Sequence, residues 1–172
     1  MEDRNHRSSG QSRRAEEEHH TNPWTFSLKI GFFAGAIWGL LRWLLYGMNF
    51  TKELPGFFLE PFFKHDFLAS IQGSVMGLAA YMVFSMAAAA LYYRILGKLR
   101  GPWPGIFYGL GWWAVLFIAG GPFMGMTVKL TNAGWNSIFT ELCIFTLWGL
   151  FIGYSIAFEF TEEASREPFP AK

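Results

Sequence analysis

A chain of 172 residues with 52% apolar and 19% aromatic side chains, a formal net charge of +1 and a single cysteine leaves few classes open. Near balance of charge argues against a nucleic-acid binder, because phosphate recognition needs a clustered surplus of Lys and Arg. The lone Cys143 excludes an intrachain disulfide and a cysteine-only metal cage.

In chain order, residues 1–24 come first, and up to Thr21 they hold almost no large apolar side chains, mixing Arg4, Arg7, Arg13 and Arg14 with Glu16, Glu17 and Glu18. Such a stretch buries too little surface to order itself and reads as a disordered tail. The apolar block that follows starts near Leu28 and is too long and too late for a cleaved secretory signal. Four apolar blocks then succeed one another, at about 28–48, 67–93, 105–123 and 135–158, within a membrane domain spanning 25–160. Each supplies the roughly 20 residues that a helix needs to cross a hydrocarbon layer of about 30 Å. The fold class expected is all-α, a polytopic membrane protein built as a bundle of four transmembrane helices, with residues 161–172 as a short C-terminal tail.

Basic residues near a span stay on the cytoplasmic side. Arg4, Arg7, Arg13, Arg14 and Lys29 precede the first block, Arg94, Lys98 and Arg100 follow the second, and Arg166 and Lys172 follow the fourth. Only Lys52, Lys64 and Lys129 occupy the opposite connections. Both termini are therefore expected in the cytoplasm and the chain in the cytoplasmic membrane. Trp24, Trp103 and Trp135 fall where spans meet headgroups, the usual place for an amphipathic ring. The first outer connection, 49–66, carries Pro55 and Pro61 among Phe50, Phe57, Phe58, Phe62 and Phe63. It reads as an interfacial anchor lying on the membrane surface, with a lid or partner site as the functional alternative. Pro102 and Pro104 suit a helix start, and Gly120, Gly121 and Pro122 should end the third span.

Helices in lipid gain little from hydrophobicity against one another, so close approach through small residues decides their packing. Gly31, Gly35 and Gly39 form such a stripe in the first span, Gly73 and Gly77 in the second, and Gly149 and Gly153 in the fourth. Gly105 and Gly109 share the spacing, although Gly105 follows Pro104 and can equally serve turn geometry. The stripes fit packing within one chain or a homo-oligomer.

A charge inside a bilayer is costly and is a functional suspect by default. Arg42 stands six residues before Met48 and Glu141 six residues after Trp135, which puts both about 9 Å from the outer boundary. Arg42 shares the helical face of Gly31, Gly35 and Gly39, and Glu141 that of Ser137, Trp148 and Ile152. The economical reading is a buried ion pair that fixes the first and fourth helices as neighbours; the sharper one is a proton- or ion-coupled site in which Glu141 titrates. Gln72, Ser74, Ser85, Asn136, Thr140, Thr146 and Ser155 are expected to hydrogen-bond between helices. Neither paired carboxylates nor an activated nucleophile stands out, His65 beside Asp66 lacks further ligands beyond distant Glu53 or Glu60, and no metal, cofactor or catalytic residue is expected. Asn49-Phe50-Thr51 matches a glycosylation acceptor, a pattern short enough to arise by chance.

Several runs carry a family likeness: Lys29-Ile30-Gly31-Phe32-Phe33, Asn49-Phe50-Thr51, Trp103-Pro104-Gly105-Ile106, Tyr108-Gly109-Leu110, and above all Gly149-Leu150-Phe151-Ile152-Gly153-Tyr154-Ser155-Ile156 with Phe158-Glu159. In these, residues 28–159 resemble the YqhR family of membrane proteins from Bacillus and its relatives. The resemblance implies the cytoplasmic membrane of a Gram-positive, spore-forming bacterium and brings no catalytic residue with it. Arg42 and Glu141 lie outside its motifs. The function expected is a non-enzymatic structural or interaction component, its partners the lipid bilayer and other membrane proteins or a second copy. The alternative is a small secondary transporter or channel subunit using Glu141 and Arg42, and an intramembrane enzyme ranks third.

Overall fold

The computed structural model describes residues 22–97, 99, 101–125 and 134–166. Expectations about the tail up to Thr21, about Lys98, Arg100 and Lys129, and about residues 167–172 fall outside these. Because lipid offers the backbone no hydrogen bonds, a crossing segment must satisfy its own amides, and helices do so. Among the described residues, four helices are long and apolar enough to cross a membrane. We label them α1 (Pro23–Gly47), α2 (Ile71–Leu96), α3 (Trp103–Ala114, continuing to Gly120 within the span) and α4 (Trp135–Arg166).

Local chemistry accounts for the ends. Asn22 caps α1, its side chain accepting from the Trp24 amide at 3.3 Å, and Pro23 occupies the first turn, where a missing N–H costs nothing. Ser70 caps α2 by accepting from the Gly73 amide at 3.2 Å. The first helix thus begins five residues earlier than the apolar block alone suggests, because a polar cap rather than hydropathy sets its start. The second begins at Ile71 rather than 67, since His65–Leu68 forms a separate turn ahead of the Ser70 cap. In α3 the stretch Val115–Gly120 widens into a π-helical turn, and a last turn, Gly121–Met124, follows. Gly120 and Gly121 therefore do not stop this helix. Gly125, at φ 70, does so in the left-handed conformation that glycine adopts without strain. The fourth helix continues past the apolar block to Arg166.

Packing follows two glycine seams. Along the first, α1 lies against α2: a Cβ on Gly31 would stand 2.6 Å from Met86 Cα, and one on Gly35 would stand 2.6 Å from Met82 Cα. Along the second, α3 lies against α4, where a Cβ on Gly149 would stand 2.5 Å from Gly109 Cα and one on Gly153 would stand 2.5 Å from Gly105 Cα. Gly105 is thus a packing residue. Gly73 and Gly77 play another part: they face not a helix but the connection ahead of α2, Gly73 against Phe67 and Leu68, Gly77 against Pro55 and Gly56. The backbones of the two helix pairs come together mainly through α1 and α4, while α2 and α3 meet through large side chains with their backbones held apart. Aromatic side chains fill the space between: Phe84 reaches Trp112 at 4.9 Å and Trp148 at 5.7 Å, and Tyr92 reaches Tyr108 at 5.1 Å. Trp148 Nε1 donates to Ser85 Oγ at 2.9 Å, tying α4 to α2 in the buried centre.

The seams make a direct prediction. Gly35→Leu has no room on either side and is expected to lower the thermal unfolding midpoint in detergent by many degrees, in line with overpacking costs of about 1–3 kcal/mol or more. Gly111→Ala, where an added Cβ meets nothing within 4 Å, is expected to leave the midpoint unchanged or raise it. Equal midpoints for both variants would show that the seams do not carry the packing.

Candidate functional site

Two charged side chains and a polar segment converge at the end of the bundle where α1 finishes and α4 begins. Arg42 sits one turn and a half before the end of α1, on the same face as its glycines, and Glu141 sits near the start of α4. Their guanidinium and carboxylate meet at 3.0 Å, Nη2 to Oε2, with both side chains 1% exposed. A lone charge at that depth would be badly solvated, and either partner makes the other tolerable.

The rest of the site comes from the connection after α1. Asn49, at φ 60, turns the chain back toward the bundle, and Thr51 and Glu53–Phe57 become buried. Thr51 Oγ1 donates to Glu141 Oε1 at 2.7 Å and accepts from the Glu53 amide at 3.1 Å. The Lys52 amide donates to Ser137 Oγ at 3.1 Å, one turn ahead of Glu141 on α4. Phe57, fully buried, lays its ring under the Arg42 guanidinium at 4.0 Å, and Phe145 approaches from α4 at 6.0 Å. A cation over an aromatic face in a water-poor setting is worth about 2 kcal/mol. The connection is therefore a plug rather than a surface anchor along 51–57, and Phe50 before it with Phe62 and Phe63 after it, all exposed, keep the interfacial character expected of the whole. Gly77 is what admits it, since any side chain there would strike Gly56.

Arg42 is incompletely satisfied. The contact with Glu141 is an ion contact without hydrogen-bond alignment, and its Nε, Nη1 and Nη2 find no hydrogen-bond partner among the described residues. Tyr81, fully buried on α2, lies within electrostatic reach of both charges, and its hydroxyl is likewise without such a partner. Deeper in the bundle the face of Glu141 continues as Phe145, Trp148, Ile152 and Ile156, each wholly buried. The floor under the ion pair is thus aromatic and aliphatic.

The site brings together Arg42 and Glu141 with Thr51, Ser137, Phe57 and Tyr81. Of these, sequence reasoning singled out the two charges and noted that Ser137 shares the Glu141 face. Thr51 was noted only within the run Asn49-Phe50-Thr51, and because periodicity says nothing about a turning segment its place beside Glu141 was not legible. Elsewhere, Ser85 and Ser74 are buried, Thr146 returns to its own helix at Leu142 O (2.6 Å), and Gln72 and Asn136 are exposed. His65 Nδ1 meets Glu60 Oε1 at 2.9 Å on the exposed part of the connection. Cys143 is exposed.

The sequence profile of a family described as "Conserved membrane protein YqhR" matches residues 8–169. The "Uncharacterized protein YqhR" of Bacillus subtilis (strain 168) is 35% identical over 132 residues, covering 77% of this chain and 74% of that protein. No solved structure matches.

The ion pair predicts a specific mutational pattern. Glu141→Ala and Arg42→Ala each leave one buried charge without a counter-ion and are expected to cost about 3–5 kcal/mol, whereas Arg42→Met with Glu141→Leu restores apolar packing and costs less than either. Thr51→Val removes one bond to a charged group and should cost about 1.5–3 kcal/mol. Thermal or denaturant unfolding in detergent checks this; additive effects of the two charge substitutions would mean that the pair does not act as a unit.

Proposed function

Since the chain belongs to the YqhR family of conserved membrane proteins, we propose that it is a non-enzymatic structural or interaction component of the cytoplasmic membrane. The observation that carries this reading is the sealed ion pair. Arg42 and Glu141 touch, both are withdrawn from solvent, the 51–57 plug covers them and an apolar floor lies below. A carboxylate that shuttles protons or coordinates a moving ion needs a wet path and freedom to change partners. Here it is held by a salt contact and by Thr51, an arrangement that fixes helix neighbours.

Under this reading the partners are other membrane proteins or a second copy, met on lipid-facing surfaces such as Phe33 and Ile37 of α1 or Val83 of α2. Both termini face the cytoplasm, as the flanking basic residues favour. The transporter alternative assigns the same two charges to ion coupling.

Two measurements separate them. With photo-cross-linking residues at Phe33, Ile37, Val83 and Phe139 in living cells, the scaffold reading expects a reproducible adduct of one defined mass from one helix face; adducts from no face, or equally from all, would count against it. Proteoliposomes carrying an internal pH or cation indicator are expected to show no protein-dependent flux, and a flux that Glu141→Gln abolishes would overturn the reading in favour of transport. For orientation, a Pro61→Cys variant in a Cys143→Ser background should react with an impermeant maleimide added outside intact cells, and reaction only after lysis would invert the assigned topology.

A further inference from the structure

The ion pair and its neighbour on α2 bury more hydrogen-bonding capacity than the described residues use. A guanidinium carries five N–H groups in one plane. Arg42 meets Glu141 through Nη2 at 3.0 Å, yet none of Nε, Nη1 and Nη2 has a hydrogen-bond partner among the described residues. Glu141 Oε1 accepts from Thr51, whereas Oε2 accepts no hydrogen bond. The Tyr81 hydroxyl is equally unbonded. All three residues are at most 1% exposed, and polar groups at such burial are paired with protein or with ordered water.

The helices bring these groups to one place. Tyr81 of α2 lays its ring edge against Gly39 of α1, Cδ1 standing 3.2 Å from where a Cβ would be, and Arg42 lies one turn beyond Gly39 on the same face. The same ring meets Phe145 of α4 edge to face at 6.5 Å, and Phe145 lies one turn beyond Glu141. Tyr81 thus rests about one turn deeper in the bundle than the two charges, both within electrostatic reach of its hydroxyl. Rings close the surroundings: Phe57 covers the guanidinium face at 4.0 Å, Phe145 approaches it at 6.0 Å, and Phe58 stands 6.0 Å from Tyr81. A ring over the guanidinium face leaves the N–H groups in its plane to find another acceptor.

The donor set decides what fits. The guanidinium repels a cation, the carboxylate beside it repels an anion, and the pair is neutral as a whole. The three groups call for a small neutral molecule that accepts from Arg42, donates to Glu141 Oε2 and bonds a hydroxyl in either sense; water does all of this. We infer that Arg42, Glu141 and Tyr81 hold a trapped water that joins α1, α2 and α4 behind the 51–57 plug. The molecule is a bridge and not a path, since Thr51 and Phe57 lie on one side of the site and Phe145 and Trp148 on the other, and bulk solvent stays excluded. It ties α2 to the ion pair, which the hydrogen bonds among the described residues do not do. The inference goes beyond the scaffold reading, and an ion pair without water would leave that reading standing.

X-ray hydroxyl-radical footprinting of the full chain in nanodiscs tests it, because a water bound beside a side chain is radiolysed in place and oxidises that side chain. Expected is oxidation of Tyr81 and Phe145 well above that of Trp148, which is equally buried but already bonded to Ser85. After transfer into heavy-oxygen water, the isotope should enter the Tyr81 product later than the product at exposed Trp135. Tyr81→Phe keeps the ring and removes the hydroxyl; it should lower both the unfolding midpoint and the oxidation of Phe145. Tyr81 and Phe145 as inert as Trp148 would overturn the proposal. So would a midpoint unchanged or raised by Tyr81→Phe, the result for a hydroxyl that bonds nothing, and so would isotope arriving at Tyr81 as fast as at Trp135, the sign of a site open to solvent. Where Tyr81→Phe fails to fold, the footprint of the unsubstituted chain decides the matter.

Discussion

Everything at the end of the bundle where α1 finishes and α4 begins depends on one electrostatic constraint: a guanidinium buried among transmembrane helices must have its counter-ion in contact. Arg42 cannot remain at its depth in α1 without Glu141 of α4, and the 3.0 Å contact between them makes those two helices neighbours. The same carboxylate then recruits Thr51, which draws the connection inward so that Phe57 lands beneath the guanidinium and the plug seals the pair. One ion contact thus organises two helices and a connection that have no sequence proximity. The cost of its burial is offset by a hydrogen bond to a charged group, a cation–π contact and exclusion of water.

A second constraint governs the body of the protein. Without a hydrophobic drive between helices in lipid, backbones must come close to gain dispersion, and glycine is what allows it. The seams of α1 with α2 and of α3 with α4 satisfy this within each pair. Between the pairs, bulky aromatics take over, with Phe84 and Tyr108 stacked on Trp148 and Trp112 meeting Phe84 edge to face, beside the Ser85 hydrogen bond. Large rings hold helices further apart than glycines do, which is why a lateral groove opens between α2 and α3. Tight pairs and loose joints are two consequences of the same residue distribution.

These features bear together on function. The carboxylate locked by a salt contact, a plug and an apolar floor is the observation on which the proposed non-enzymatic role rests. The family comprises conserved membrane proteins, and four spans accord with that description.

Much was legible from the residues alone, because hydropathy over about 20 residues and the cost of buried charge are local properties. The four helices, their all-α class and the unusual depth of Arg42 and Glu141 follow from composition and spacing. Helix starts shifted by several residues because Asn22 and Ser70 act through single hydrogen bonds that a sliding window averages away. What only the tertiary structure decided is which surfaces meet. Gly73 and Gly77 have the spacing of a helix seam yet receive a connection, and Gly105, readable as a turn residue, packs against α4. Thr51 and Phe57 look like parts of an aromatic surface anchor, but reach the ion pair because Asn49 turns the chain and Gly77 leaves a place for it. Spacing along a helix says which residues share a face; what that face touches is set by contacts between segments far apart in the chain, where local pattern carries no information.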